Sequence, residues 1–251
     1  MAAPLLDGAE PFSASNGPDG VLVIHGFTGS PRSMRPLAEA FADAGYSVEL
    51  PLLPGHGTCV EDMLPTRFED WAGAADTAYQ SLAARCNRVA VAGLSMGGTL
   101  ALWLAERHVE IAGLVLVNPL VEPAAESFLE MLQASLDQGL DRIPAIGEDI
   151  AKPGVSEGSY DATPIAAVIS LMEGARDVAA RLGEVACPVL LLSSRQDHVV
   201  PFSQGDLLVD QVAGPVERVV LDRSYHVATL DFDQVEIEQR AVAFAGKILT
   251  A

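Results

Sequence analysis

The chain has 251 residues, 49% of them hydrophobic, and 34 acidic residues against 15 Lys and Arg give a formal charge of −19. Such a length holds one large α/β domain or two small ones with a sizeable core, and no low-complexity tract or internal repeat interrupts it. The acidity argues against nucleic acid, which needs a basic footprint, and suits a neutral substrate better than an anionic one; most of it reads as solubility or adaptation to a salty cytoplasm.

The first twelve residues, MAAPLLDGAEPF, show no basic stretch followed by a long apolar run, so no signal peptide is expected. No apolar run reaches 18 residues, so no spanning helix is expected either. The Asn16-Gly17 and Asp19-Gly20 pairs suggest a small antiparallel hairpin at a sheet edge. Residues 21–25 (VLVIH) read as a buried strand running into His25-Gly26-Phe27-Thr28-Gly29. A helix follows, capped by Ser30 with Pro31 at its first position, with an apolar face including Met34, Leu37, Ala38 and Phe41 and a stop at Gly45. Residues 46–50 form the next strand, 51–58 (PLLPGHGT) a Pro/Gly loop, and 68–84 a helix carrying Trp71, Ala75 and Tyr79. Further apolar strands fall at 89–92, 111–117, 188–193 and 216–221. Strands alternating with helices of 10–18 residues predict an α/β fold, a mostly parallel central sheet flanked by helices. Residues 121–165 break this rhythm. They hold helical pieces (Phe128, Leu132, Leu136) and turns at Pro144, Gly147, Pro153, Gly154 and Gly158, but no convincing strand. This predicts a cap over 121–165 inserted between core segments 1–120 and 166–251.

Within GLSMGGTLALWLAE, Ser95 stands between Gly93 and Gly97 where a buried strand meets an amphipathic helix. G-x-S-x-G in that setting is a nucleophile elbow, in which a strained turn presents the serine and close-packed chains exclude side chains at the flanking positions. The setting favours a nucleophile over a plain N-cap. A nucleophilic serine needs a base and an orienting carboxylate, expected downstream in the order acid, then histidine. Asp197 (SSRQDHVVP) and His226 (SYHVATLD) both follow strands and emerge at the sheet edge that presents Ser95. Asp222 also ends a strand but lies only four residues before His226, so Asp197 is preferred. His198 reads as a loop residue, His25 as packed or hydrogen-bonded beneath the site, His56 as part of a Pro/Gly loop, and His108 as a helix C-terminal residue suited to the dipole. The N–H groups of Met96 and Phe27 are the expected oxyanion donors. Cys59, Cys86 and Cys187, odd in number and widely spaced, read as free thiols in a reducing compartment, so a cytoplasmic location is expected. No Cys/His set has metal-ligand spacing, so no metal and no cofactor are expected.

These motifs, with HGFTGSPRSMRPLAEAFADAGY, LPGHGT and DWAGAA, make the chain similar over nearly its full length to α/β-hydrolases of the bacterial monoacylglycerol lipase and carboxylesterase group. IGEDIAKPGVSEGSYDATP resembles the monoacylglycerol lipases specifically, whereas residues 121–135 depart most from the group. The resemblance implies an esterase with a small helical cap and a triad of Ser95, Asp197 and His226. It also implies that Glu157 of the cap contacts the glycerol hydroxyls of a monoacylglycerol. Phe128, Leu129, Leu132 and Ile146 are candidates to line the acyl pocket, or alternatively form the cap's own small core. A carboxylesterase without glycerol preference and, more remotely, a non-catalytic binding protein on this fold are the competing readings. Monomer and homodimer both stay open.

Overall fold

The computed structural model describes residues 3–145 and 147–250. A short edge strand β1 (Phe12–Ala14) precedes β2 (Gly20–Ile24). The chain then turns through one 3-10 turn, where the Ser30 hydroxyl accepts the Arg32 N–H, into α1 (Arg35–Asp43). Gly45, at φ +93°, reverses the chain into β3 (Ser47–Leu50) in a conformation costly for residues with a Cβ. The one-turn α2 (Val60–Met63) and α3 (Phe68–Ala83) follow, then β4 (Val89–Leu94), α4 (Met96–Ala105) and β5 (Leu114–Val117). Next come α5 (Glu126–Asp137), β6 (Arg142–Pro144), β7 (Ala162–Pro164) and α6 (Ile165–Ala179). The chain closes with β8 (Val189–Ser194), α7 (Ser203–Gln211), β9 (Val216–Leu221) and α8 (Gln234–Leu249).

Among the described residues, seven strands form the main sheet in the order β1-β3-β2-β4-β5-β8-β9, parallel throughout except for β1. Alternate residues of each central strand feed opposite faces. Leu22, Ile24, Val91, Leu116 and Leu191 join Trp71 and Leu100 in the core on one side, while Val21, Val23, Ala92, Val115 and Leu190 pack with Phe41 and Phe244 on the other. Both faces being covered, the strands read as continuous apolar runs. The C-terminal strand ends lie side by side, and the loops leaving β2, β4, β5, β8 and β9 open on one edge.

Two expectations need correction. The edge strand β1 is antiparallel, but it pairs with β3 (Phe12↔Leu50), not with β2, so the Asn16-Gly17 and Asp19-Gly20 turns join strands that are not neighbours. Ser47 instead reaches Gly17, its hydroxyl donating to Gly17 O at 2.7 Å. The segment 121–165 also contains strand: β6 and β7 pair antiparallel through Ile143↔Thr163. Three-residue strands are too short to display a period of two, and their partners are distant in sequence.

Candidate active site

Ser95 follows β4 immediately, at φ +54° and ψ −119°. Few residues with a Cβ adopt such angles, and the neighbouring chains enforce the turn. A methyl group on Gly93 would lie 2.1 Å from Gly97 O, and one on Gly97 would lie 2.2 Å from Ile24 O. Both glycines therefore serve close packing, which holds Ser95 out at the N-terminus of α4. Ser95 N–H donates to Val117 O at 3.0 Å, locking the elbow to the neighbouring strand.

Asp197 and His226 meet. His226 Nδ1–H donates to Asp197 Oδ2 at 2.8 Å, with the two side chains 9% and 2% exposed, histidine first. Asp197 Oδ1 accepts the N–H groups of Val199 and Val200, both at 2.8 Å, which fixes the carboxylate. The carboxylate sets the tautomer, leaving Nε2 of His226 as an acceptor. Asp222 points elsewhere and pairs with Arg195 at 2.9 Å. Among the described residues, the Ser95 hydroxyl makes no hydrogen bond. In unliganded sites the nucleophile–base bond is commonly loose and tightens with substrate.

Phe27 and Met96 N–H find no acceptor among the described residues; Met96 opens α4, where the first N–H groups of a helix have no partner within it. The Phe27 loop is held from below. His25 is fully buried; its Nδ1–H donates to Gly26 O at 2.9 Å and its Nε2 accepts Leu53 N–H at 3.2 Å. His56, expected merely to occupy a loop, is buried too. It packs edge-on against His25, Phe27 and Trp71, with ring centroids 5.0–6.3 Å apart, and its Nδ1–H donates to Pro54 O. Burial lowers these histidines from 6.5 to about 4 and about 3, so both stay neutral.

Glu157, in the loop before β7, lies at this edge. It is 9% exposed, and Oε2 lies over Gly29 of the Phe27 loop, where an added methyl would come within 3.0 Å. Its carboxylate makes no hydrogen bond among the described residues. Burial raises it from 4.5 to about 7, opposed by the nearby His226 and reinforced by Glu148. Leu129 and Leu132 pack with Ile165 and Val168 in a small cluster against which Phe27 rests. Phe128 sits on the outer face, 38% exposed. Ile146 lies outside the described residues.

Sequence reasoning missed Asn118 and Asp149. Asn118, at φ +43°, donates from Nδ2 to His226 O at 2.8 Å and accepts Ser194 N–H at 2.7 Å. An Asn directly after a buried strand, tolerant of positive φ, was an available signal for it. Asp149 accepts His226 N–H at 3.0 Å across 77 residues of sequence, and no local pattern announces that. His198, expected as a plain loop residue, donates from Nδ1 to Asp149 Oδ1 at 2.7 Å. A surface groove of about 810 Å³ beside Thr58, Ile143 and Tyr160 contains none of Ser95, Asp197 and His226. Its Arg142 is already paired with Glu61 and Asp141.

A helix-flanked, mostly parallel sheet with a strained serine at the end of its central strand defines the class. The chain belongs to the alpha/beta hydrolase family, whose pattern matches residues 21–239. It is 46% identical over 245 residues to the thermostable monoacylglycerol lipase of Bacillus sp. (strain H-257), covering 97% of each chain. It is 26% identical over 242 residues to a carboxylesterase of Bacillus subtilis (strain 168), covering 95% of this chain and 97% of that one. Among solved structures it matches, at a TM-score of 0.93 and 41% identity, a chain from work on the metagenome-derived lipolytic enzymes LipS and LipT, covering 97% of this chain and 100% of that one. The monoacylglycerol lipase of Paleococcus ferrophilus shares the fold at a TM-score of 0.75 and 18% identity, covering 94% of this chain and 98% of that one. No described helix is long and apolar enough to cross a membrane.

Proposed function

We propose that this chain is a serine ester hydrolase that cleaves monoacylglycerols to glycerol and fatty acid. Ser95 Oγ attacks the ester carbonyl while His226 Nε2 takes its proton, and Asp197 holds the imidazole and stabilises its charged form. The carbonyl oxygen, now an oxyanion, turns into the N–H groups of Phe27 and Met96. The intermediate collapses to an acyl-enzyme as His226 returns the proton to the departing glycerol oxygen. Water, activated by the same imidazole, then releases the fatty acid and restores Ser95. Residues 121–165 act as the cap, with Leu129 and Leu132 behind the acyl chain.

The observation that carries the choice of leaving group is Glu157, a buried carboxylate beside His226 with no protein hydrogen bond among the described residues. With no protein partner, its oxygens are open to a hydroxyl of the leaving group, and a glycerol hydroxyl that bonds there is held beside the base. The relationship to a protein named monoacylglycerol lipase supports the same reading. The alternative is a carboxylesterase indifferent to glycerol, supported by the more distant carboxylesterase relative.

The test is kcat/KM for 1-lauroylglycerol and for methyl laurate, in the wild type and in Glu157→Leu. A site built to pair hydroxyls rejects the analogue lacking them, so the wild-type ratio is high and falls roughly 10–100-fold in the variant. An unchanged ratio removes Glu157 from substrate recognition and leaves the carboxylesterase as the better description.

A further inference from the structure

The backbone of His226 is gripped from two sides. Its carbonyl accepts Asn118 Nδ2–H from the end of β5, and its N–H donates at 3.0 Å to Oδ2 of Asp149, from the segment 121–165. The same Oδ2 accepts the N–H of His198, the residue after Asp197, at 3.1 Å. One carboxylate oxygen thus joins the loop of the acid to the loop of the base. Asp149 has little freedom: its side chain is 13% exposed, Oδ1 accepts His198 Nδ1–H, and its own carbonyl accepts Val227 N–H at 3.1 Å. Two residues on, Asp231 Oδ2 accepts both Ala151 N–H and Tyr225 N–H, at 2.7 and 2.9 Å, so the stretch is laced to the base loop a second time.

We propose that Asp149 is a positioning residue through which the cap sets the distance between the acid and base loops. This rests on the assignment of Asp197 and His226 to catalysis. In the reaction the imidazole must hold Asp197 and reach Ser95 at once, and a shift of its backbone loosens the bond to Asp197 or moves Nε2 away from Ser95. Asp149 touches neither the substrate nor the reacting atoms, so its loss acts on the chemical step alike for every ester. Glu157, on the same cap segment, acts on the choice of leaving group.

Asp149→Ala and Asp149→Asn are compared with the wild type on 1-lauroylglycerol and methyl laurate, with thermal unfolding followed in parallel. The asparagine carbonyl still accepts the two main-chain N–H groups; the methyl group of alanine accepts neither. A misplacement of about 1 Å at a catalytic group costs on the order of 100-fold. Asp149→Ala therefore lowers kcat roughly 10–100-fold on both esters, leaving KM and the ratio between the esters unchanged, and Asp149→Asn restores kcat to within about threefold of the wild type. Asp149→Ser, whose hydroxyl is too short to reach either N–H, replaces the alanine variant if that one does not fold. The proposal is overturned by a folded variant with wild-type kcat, by a loss confined to KM, by a changed ester ratio, or by an asparagine variant as impaired as the alanine one. His226→Ala is assayed alongside. If it is inactive, the catalytic assignment stands whatever Asp149 does; if it is active, that assignment fails and Asp149 with it.

Discussion

The sheet edge that carries Asp197 and His226 and the cap segment that carries Glu157 are both nearly buried, and they treat their polar groups in opposite ways. Asp197 accepts three hydrogen bonds, and His226 is fixed at its ring, its N–H and its carbonyl. Glu157 has no such bond among the described residues, and burial lifts it to about 7. A fully bonded group is rigid and ready for a reaction whose geometry does not vary from ester to ester. A carboxyl that no protein group ties down keeps its oxygens open to a ligand hydroxyl. On the proposed function, the contrast separates a reaction centre from a recognition centre on one edge of one sheet.

Breaking the reaction centre has the largest expected effect. Ser95→Ala abolishes turnover without unfolding the protein, and Asp197→Asn and His226→Ala each lose on the order of 10⁴-fold in kcat. The Asp222→Asn variant, altering a carboxylate that pairs with Arg195, keeps kcat within a few-fold of the wild type; the reverse pattern moves the acid from Asp197 to Asp222. Glu157→Gln sharpens the recognition side. Its amide is isosteric with the protonated carboxyl that predominates below about pH 7 and still bonds a hydroxyl. The preference for 1-lauroylglycerol over methyl laurate is therefore largely retained, against its loss in Glu157→Leu; equal losses in the two variants make the contact one of charge alone.

Packing beneath the recognition side is tested by Leu132→Ala. Leu132 is fully buried in the cluster against which Phe27 rests, so the truncation lowers unfolding stability by about 2–5 kcal/mol, read from denaturant unfolding. The smallest effect concerns pH. His25 and His56 titrate near 4 and 3 in the folded chain against 6.5 when unperturbed. As pH falls below 6.5 the unfolded chain takes up protons that the folded chain refuses. The stability is therefore complete above pH 6.5 and drains away as pH falls through about 4 and 3. In His56→Phe the decline of Tm on the acid side is shallower; an unchanged slope contradicts a neutral buried histidine at this position.

The parallel sheet and the elbow were legible because both write themselves into short stretches of chain. VLVIH and VAVAGL are apolar at every position or nearly so because both faces are covered, and Gly93 and Gly97 flank Ser95 because nothing larger fits. Asp197 and His226 were named from their places after β8 and β9, and their side chains pair in the fold. What stayed hidden depends on contacts distant in sequence. β1 chooses β3 over β2, β6 finds β7 across the cap, and Asp149 reaches His226. His56 reads in the sequence only as part of a Pro/Gly loop, because its packing against His25, Phe27 and Trp71 exists only once the sheet has formed.

The most direct test of the separation between reaction and recognition is covalent labelling with an alkyl fluorophosphonate that carries no glycerol group. Intact-mass and peptide analysis of the wild type should show a single adduct on Ser95. Glu157→Leu should label at the wild-type rate, since the probe has no hydroxyl for Glu157 to read, and His226→Ala should label far more slowly. An adduct elsewhere, or a labelling rate that falls as much in Glu157→Leu as in His226→Ala, contradicts the account.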